Sequence, residues 1–188
     1  MGHQTTLTFV TGSDRKVGEA QLVCDPVGIE IIKTPLDIHE IQSDKPQDIS
    51  VHKAEQAYEK LQKPLVITDT FFSIPALNGF PGAYMKDVVQ WLRPEDFILL
   101  MSDKTDKTIT FSENITYIDS EGIKTFSKEF RGHIVDAPRG SGNSIENVAE
   151  FDGVTLGERR AQGGFSHKPD DFVWVDFVDW YRENMKAQ

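Results

Sequence analysis

Apolar positions along this chain follow two rhythms, and the switches between them mark out the elements. Leu7 to Val10 reads as a short buried strand that ends in Thr11-Gly12-Ser13. From Asp14 or Arg15 to about Leu22 the spacing turns helical, with Val17, Ala20 and Val23 on one side. Ile29 to Ile32 is a second strand, followed by a polar, Pro-bearing stretch from Lys33 to Asp48. Ser50 to Leu61 predicts a helix whose apolar face is Val51, Ala54, Ala57, Tyr58 and Leu61, with Ser50 as its cap. The sheet resumes at Leu65 to Thr68. Met85 to Trp91 opens a further helix that Pro94 stops, and Asp96 to Met101 adds a turn. Thr108 to Ile118 and Ile123 to Phe130 alternate with period two around Asp119-Ser120-Glu121-Gly122, the pattern of a hairpin. Gly132 to Val135 starts another strand, and Asp171 to Lys186 is a terminal helix whose Phe172, Val175, Val178 and Trp180 read as core. Strands and helices interleave, so the fold class is α/β. No repeat, linker or biased segment interrupts the chain, so residues 1–188 read as one domain.

Composition narrows the function. At 38% hydrophobic and 27% charged residues, the chain is that of a soluble globular protein. Its net charge of -10 argues against a general nucleic-acid binder, which needs a basic footprint. No apolar run reaches the ~20 residues that span a bilayer, and no signal-peptide pattern opens the chain. One cysteine, Cys24, cannot form an internal disulfide, suits a cytoplasmic location and reads as a small buried apolar side chain.

The chemistry concentrates in Asp69 to Lys86. A carboxylate at the end of the Leu65–Thr68 strand stands at a sheet rim, where ligands of α/β proteins collect. The Gly/Pro stretch beyond it lets backbone approach a ligand, and Lys86 supplies positive charge. Acid, loop and lysine together suggest a metal-assisted phosphate site. Taken alone, the same residues also suit a plain cap and turn. Upstream, Thr11-Gly12-Ser13 lies between a strand and a helix, so its amides can face an anion, and Lys16 projects from the first helical turn to neutralise it. The spacing is not that of a P-loop.

Asp69-Thr70 followed by Ala76-Leu77-x-Gly79-x-Pro81-Gly82-x-Tyr84-x-Lys86 resembles the central signature of the inosine triphosphate pyrophosphatase family. Three further stretches fall in that family's order: Phe9 to Glu19, the acidic segment Leu36 to Gln42 with Asp48 and Lys53, and the pair Ala137-Pro138-Arg139-Gly140 and Ser166-His167-Lys168. The resemblance runs from about Leu7 to Lys168. It implies a twisted mixed sheet flanked by helices, in two lobes around a central cleft. It also implies hydrolysis of ITP, dITP or XTP to the monophosphate and pyrophosphate, with Mg²⁺ as cofactor and a homodimer as assembly. Under it, Glu40 and Asp69 are the metal carboxylates, and Asp69 is general base or metal ligand. Lys16, Lys53 and Lys86 clamp the triphosphate beside Thr11, Gly12, Ser13 and Thr70. Ser166, His167 and Lys168 read the purine.

Several positions depart from that pattern. Thr68 stands where the family carries an acid, which removes one negative charge from the site. Ser141 to Asn147 lacks the aromatic that stacks on the base, a contact worth about 1–3 kcal/mol. Gln162 replaces a lysine, Lys168 an arginine and its planar fork, and Ser13 an asparagine. These changes bear more on base recognition than on phosphate chemistry. They leave two alternatives: the same reaction on another base, or a nucleotide-binding relative with little catalysis.

Overall fold

The computed structural model describes residues 5–43 and 45–185; its longer elements follow the predicted rhythms with shifted ends, whereas the strands at 80–82, 149–151 and 154–155 and the helix at 156–161 have no counterpart among them. In chain order they are β1 (Thr5–Phe9), α1 (Asp14–Cys24), β2 (Ile29–Lys33), α2 (Pro46–Leu61), β3 (Leu65–Ile74), β4 (Phe80–Gly82), α3 (Met85–Trp91), α4 (Pro94–Leu100), β5 (Thr108–Ile118), β6 (Ile123–Ile134), β7 (Ala149–Phe151), β8 (Val154–Thr155), α5 (Leu156–Ala161) and α6 (Val173–Met185). The strands form one open, twisted sheet in the order β2-β1-β3-β5-β6-β7-β8, with β4 added on β3. Pairing of β1 with β2 and with β3 is parallel, whereas β4, β7 and β8 join antiparallel. The sheet is therefore mixed and flanked by helices, as expected. No described helix is long and apolar enough to cross a membrane.

Two compact units divide the described chain. The first takes residues up to 69, 113–128 and 167 onward; the second takes 70–112 and 129–166. Neither is one continuous piece of chain. In the first unit, α2 lays Ala54 and Ala57 on Val10, Leu65, Ile67 and Ile118. Aromatic side chains of α6 build a separate cluster: Trp174 meets Phe9 at 5.2 Å, and Phe177 meets Tyr117 at 6.1 Å and Trp174 at 5.6 Å. Phe177 is fully buried, and burial of such a side chain is worth about 1.5–3 kcal/mol. The core reading of the terminal aromatics holds for Phe172 and Val178, with Val175 and Trp180 half-buried. Cys24 is buried and free, as expected. In the second unit, Phe72, Ile74, Phe97, Ile109, Phe111 and Phe151 share a core, and the Phe72 and Phe111 rings lie 4.9 Å apart.

Four expectations need correction. β3 runs on to Ile74, because β4 pairs with its second half at Phe72, Ser73 and Ile74; Asp69 is thus within a strand, not at its end. Helix α2 begins at Pro46, where proline's fixed φ suits a first turn, so Ser50 lies inside it and is no cap. Gly132 continues β6 instead of starting a new strand. The terminal helix starts at Val173, after a 3-10 turn at Pro169–Asp171, and position 186 lies outside the described residues.

Candidate active site

The strand–turn–helix at the N-terminus is built locally. Ser13 is the N-cap of α1 and accepts from the Lys16 amide at 3.4 Å, while Thr11 Oγ1 accepts from the Ser13 amide at 3.1 Å. Gly12 is exposed, with no atom within 4 Å of where a Cβ would stand. That capping turns the first helical residues so that Lys16 reaches across to β3. Its Nζ donates to the Thr68 carbonyl oxygen at 2.8 Å. Burial pulls this ammonium below the ordinary lysine value; the charge of Asp69 opposes the fall and Lys53 adds to it.

Asp69 collects the other groups. Ser50 and Lys53, three residues apart on α2, share the helix face turned toward β3. Ser50 Oγ donates to Asp69 Oδ2 at 3.0 Å and Lys53 Nζ donates to Asp69 Oδ1 at 2.6 Å. The same ammonium lies 3.4 Å from Oε1 of Glu40, an exposed residue of the polar stretch before α2. Burial alone lowers the Lys53 ammonium, yet Asp69 and then Glu40 outweigh it and leave it above its ordinary value. Lysines 16 and 53 are thus shifted in opposite directions, and Asp69 lies close enough to act on both.

Four predicted residues, Lys16, Glu40, Lys53 and Asp69, therefore form one electrostatic cluster within the first unit. Ser50 joins it unpredicted: its capping preference hid a hydroxyl whose partner lies 19 residues away in sequence. Two carboxylates already share one cation here, and paired carboxylate oxygens suit Mg²⁺, which takes its remaining ligands from water and phosphates. Among the described residues no group of three or more acids, histidines or cysteines is gathered, so two carboxylates are the share this cluster offers. The residues fit the metal.

The remaining predicted residues are spread over both units. Thr70 lies half-buried in β3 and Lys86 is exposed on α3, both in the second unit. Ser166, also there, is fully buried: its Oγ accepts from Arg160 Nη2 at 2.8 Å and its carbonyl accepts from Arg159. His167 (7% exposed) and exposed Lys168 belong to the first unit. The stretch Ser141 to Asn147, lacking the stacking aromatic, is folded on itself. Gly142 N donates to Asn147 Oδ1 at 2.7 Å, and Asn143 and Glu146 exchange amide-to-side-chain bonds at 3.0 Å. The two arginines that hold Ser166 escaped notice because Arg159-Arg160 looks like a solvated helical charge pair. Their bonds to Glu146 and to backbone oxygens of Phe151 and Gly164 emerge only in the fold.

The chain belongs to the Ham1 family, whose model matches residues 7–146. It is 29% identical to a dITP/XTP pyrophosphatase of Methanopyrus kandleri over 96% of this chain and 98% of that one. It is 34% identical to inosine triphosphate pyrophosphatase 1 of Trypanosoma cruzi, covering 81% and 80% of the two chains. The fold matches a HAM1 protein from Coxiella burnetii with a TM-score of 0.81 at 17% identity, over 95% of this chain and 99% of that one. The resemblance first drawn from four short stretches thus extends to membership of a family.

Proposed function

We propose that this protein hydrolyses non-standard purine nucleoside triphosphates, dITP, ITP and XTP, to the monophosphate and pyrophosphate. The observation that carries this reading is similarity over nearly the full length to a protein named dITP/XTP pyrophosphatase. The cluster around Asp69 supplies chemistry of the right kind. Water attacks the α-phosphorus, the α–β bridging bond breaks, pyrophosphate leaves, and one proton is released. Lys16 and Lys53 carry charge that a triphosphate needs, and a lysine on a phosphate makes a short charge-assisted contact. Asp69 orients the attacking water or accepts its proton. Glu40 and Asp69 would hold Mg²⁺, which when bound neutralises phosphate oxygens. Thr11, Gly12, Ser13, Thr70 and Lys86 complete the phosphate contacts, and Ser166, His167 and Lys168 face the base; these roles rest on the family resemblance.

We further read residues 1–188 as one catalytic domain, because the chain passes back and forth between its two units. A cytoplasmic protein without a nucleic-acid or membrane partner accords with the net charge of -10 and the buried, unpaired cysteine, while the homodimer rests on the family resemblance alone. The test is pyrophosphate release from dITP, XTP, GTP and ATP with Mg²⁺ or with a chelator, beside Asp69→Asn. Release from dITP and XTP that the chelator abolishes is expected, together with a loss of about 100-fold or more in the folded variant. Near-normal turnover by folded Asp69→Asn would sink the assignment of Asp69.

A further inference from the structure

Asn114 is 4% exposed on β5, and no described residue hydrogen-bonds either its Oδ1 or its Nδ2. A carboxamide offers two donors and two acceptors. Leaving one bare inside a protein leaves its desolvation uncompensated, so Asn114 stands in the fold at a cost in stability. Its place in the sheet says what it faces. The start of β3, at Leu65 and Ile67, packs with the end of β5 at Ile118. The end of β3, at Phe72 and Ile74, packs with the start of β5 at Ile109 and Phe111. The two neighbouring strands therefore run antiparallel. Phe72 lies ring to ring with Phe111. Moving back along β3 to Asp69 and forward along β5 to Asn114 brings these two side chains level, on the opposite face from the phenyl rings. That face is the one covered by α2, where Ser50 and Lys53 already hold Asp69.

We propose that Asn114 is a positioning residue for Asp69. In the resting protein Lys53 donates to Asp69 Oδ1. A triphosphate, with several negative oxygens, draws that ammonium away, and the oxygen loses its donor. The Asn114 amide then turns to donate to Asp69, so that the carboxylate keeps a fixed direction while the lysine serves the phosphate. This inference rests on the function proposed above and adds a residue to it. Its signature is a trade of stability for turnover: the amide is bare when the site is empty and used when it is full.

The experiment takes the full chain as Asn114→Leu, with Thr116→Val as control. Thr116 Oγ1 is also buried without a partner among the described residues, but it lies one pleat further along β5, away from Asp69. Both variants are expected to melt higher than wild type without nucleotide. Asn114→Leu is expected to lose about 10-fold or more in kcat, with KM and the affinity for a non-hydrolysable ITP analogue changed by less than about 3-fold, whereas Thr116→Val keeps wild-type kcat. Should the leucine side chain not be accommodated, Asn114→Ser keeps a hydroxyl of shorter reach and is expected to show the same fall in kcat at unchanged KM. Wild-type kcat in either folded Asn114 variant overturns the proposal. An inactive wild type would instead strike the proposed function itself, while an active wild type with an unaffected Asn114→Leu strikes this inference alone.

Discussion

Glu113 shows how one residue of this fold writes itself into pH dependence. It is 6% exposed on β5, in the first unit, and its carboxyl is pushed up to about 7. Burial is the main cause and Glu19 adds to it, while Arg15, Lys16 and the Val173 amide at the start of α6 pull it back. An unfolded glutamate titrates near 4.3. Between that value and about 7 the folded chain keeps a proton that the unfolded chain has released, so stability falls as pH rises through this window and levels off above it. Glu113→Gln cannot ionise and escapes the penalty, which is on the order of 3 kcal/mol above the window. The variant is therefore expected to melt several degrees higher than wild type at about pH 8, with the gain shrinking to almost nothing by about pH 4.5. A melting difference that stays the same at both pH values would show that Glu113 is ionised in the folded protein.

At the scale of elements, the strand junction of β6 and β7 gives the sharpest prediction. Gly132 lies in β6, which pairs with β7 at His133–Glu150 and Ile134–Ala149. A Cβ at Gly132 would stand 2.0 Å from the Glu150 carbonyl oxygen and 2.8 Å from the Phe151 ring, and backbone cannot move aside as a side-chain tip can. Gly132→Ala is expected to cost about 1–3 kcal/mol and lower Tm by several degrees; an unchanged Tm would mean the two strands do not approach so closely. The same glycine explains part of what sequence could tell. Periodicity found the long helices and the β5–β6 hairpin, because Thr108 to Ile118 and the apolar face of α2 carry their own local signal. It ended β3 too early because what prolongs that strand is its pairing with β4, a non-local event in a Gly/Pro-rich segment. It broke β6 at Gly132 because a glycine selected for close approach reads as punctuation. In the site, Lys16, Glu40, Lys53 and Asp69 were legible as charges in ordered motifs. Ser50 and Asn114 were not, since a hydroxyl in a helix and an amide in a strand acquire meaning only from what lies across from them.

For the whole molecule the open quantity is selectivity among purines. Pocket discrimination comes mainly from buried polar groups that the wrong base leaves unpaired. In this chain the stretch Ser141 to Asn147 spends its polar groups on itself, through the Gly142–Asn147 and Asn143–Glu146 bonds, and offers no aromatic face for stacking. Ser166 is likewise engaged, its hydroxyl taken by Arg160 and its carbonyl by Arg159. Lys168, exposed, presents a point charge in place of a planar fork. An oxygen at the purine six-position is still favoured over an amino group by donors such as these, but with fewer groups to leave stranded when the amino group arrives. The phosphate half proposed above is different: Lys16, Lys53 and Asp69 are bound into one cluster, to which every nucleoside triphosphate would present the same phosphates. Catalytic efficiency is therefore expected to favour ITP and XTP over ATP by roughly 10- to 100-fold, with the loss on ATP showing in KM more than in kcat. The measurement is kcat/KM for ITP, XTP, GTP and ATP at saturating Mg²⁺. Rejection of ATP by about 10⁴ or more, the level reached by fully hydrogen-bonded base sites, would mean that residues other than Ser166, His167 and Lys168 read the base.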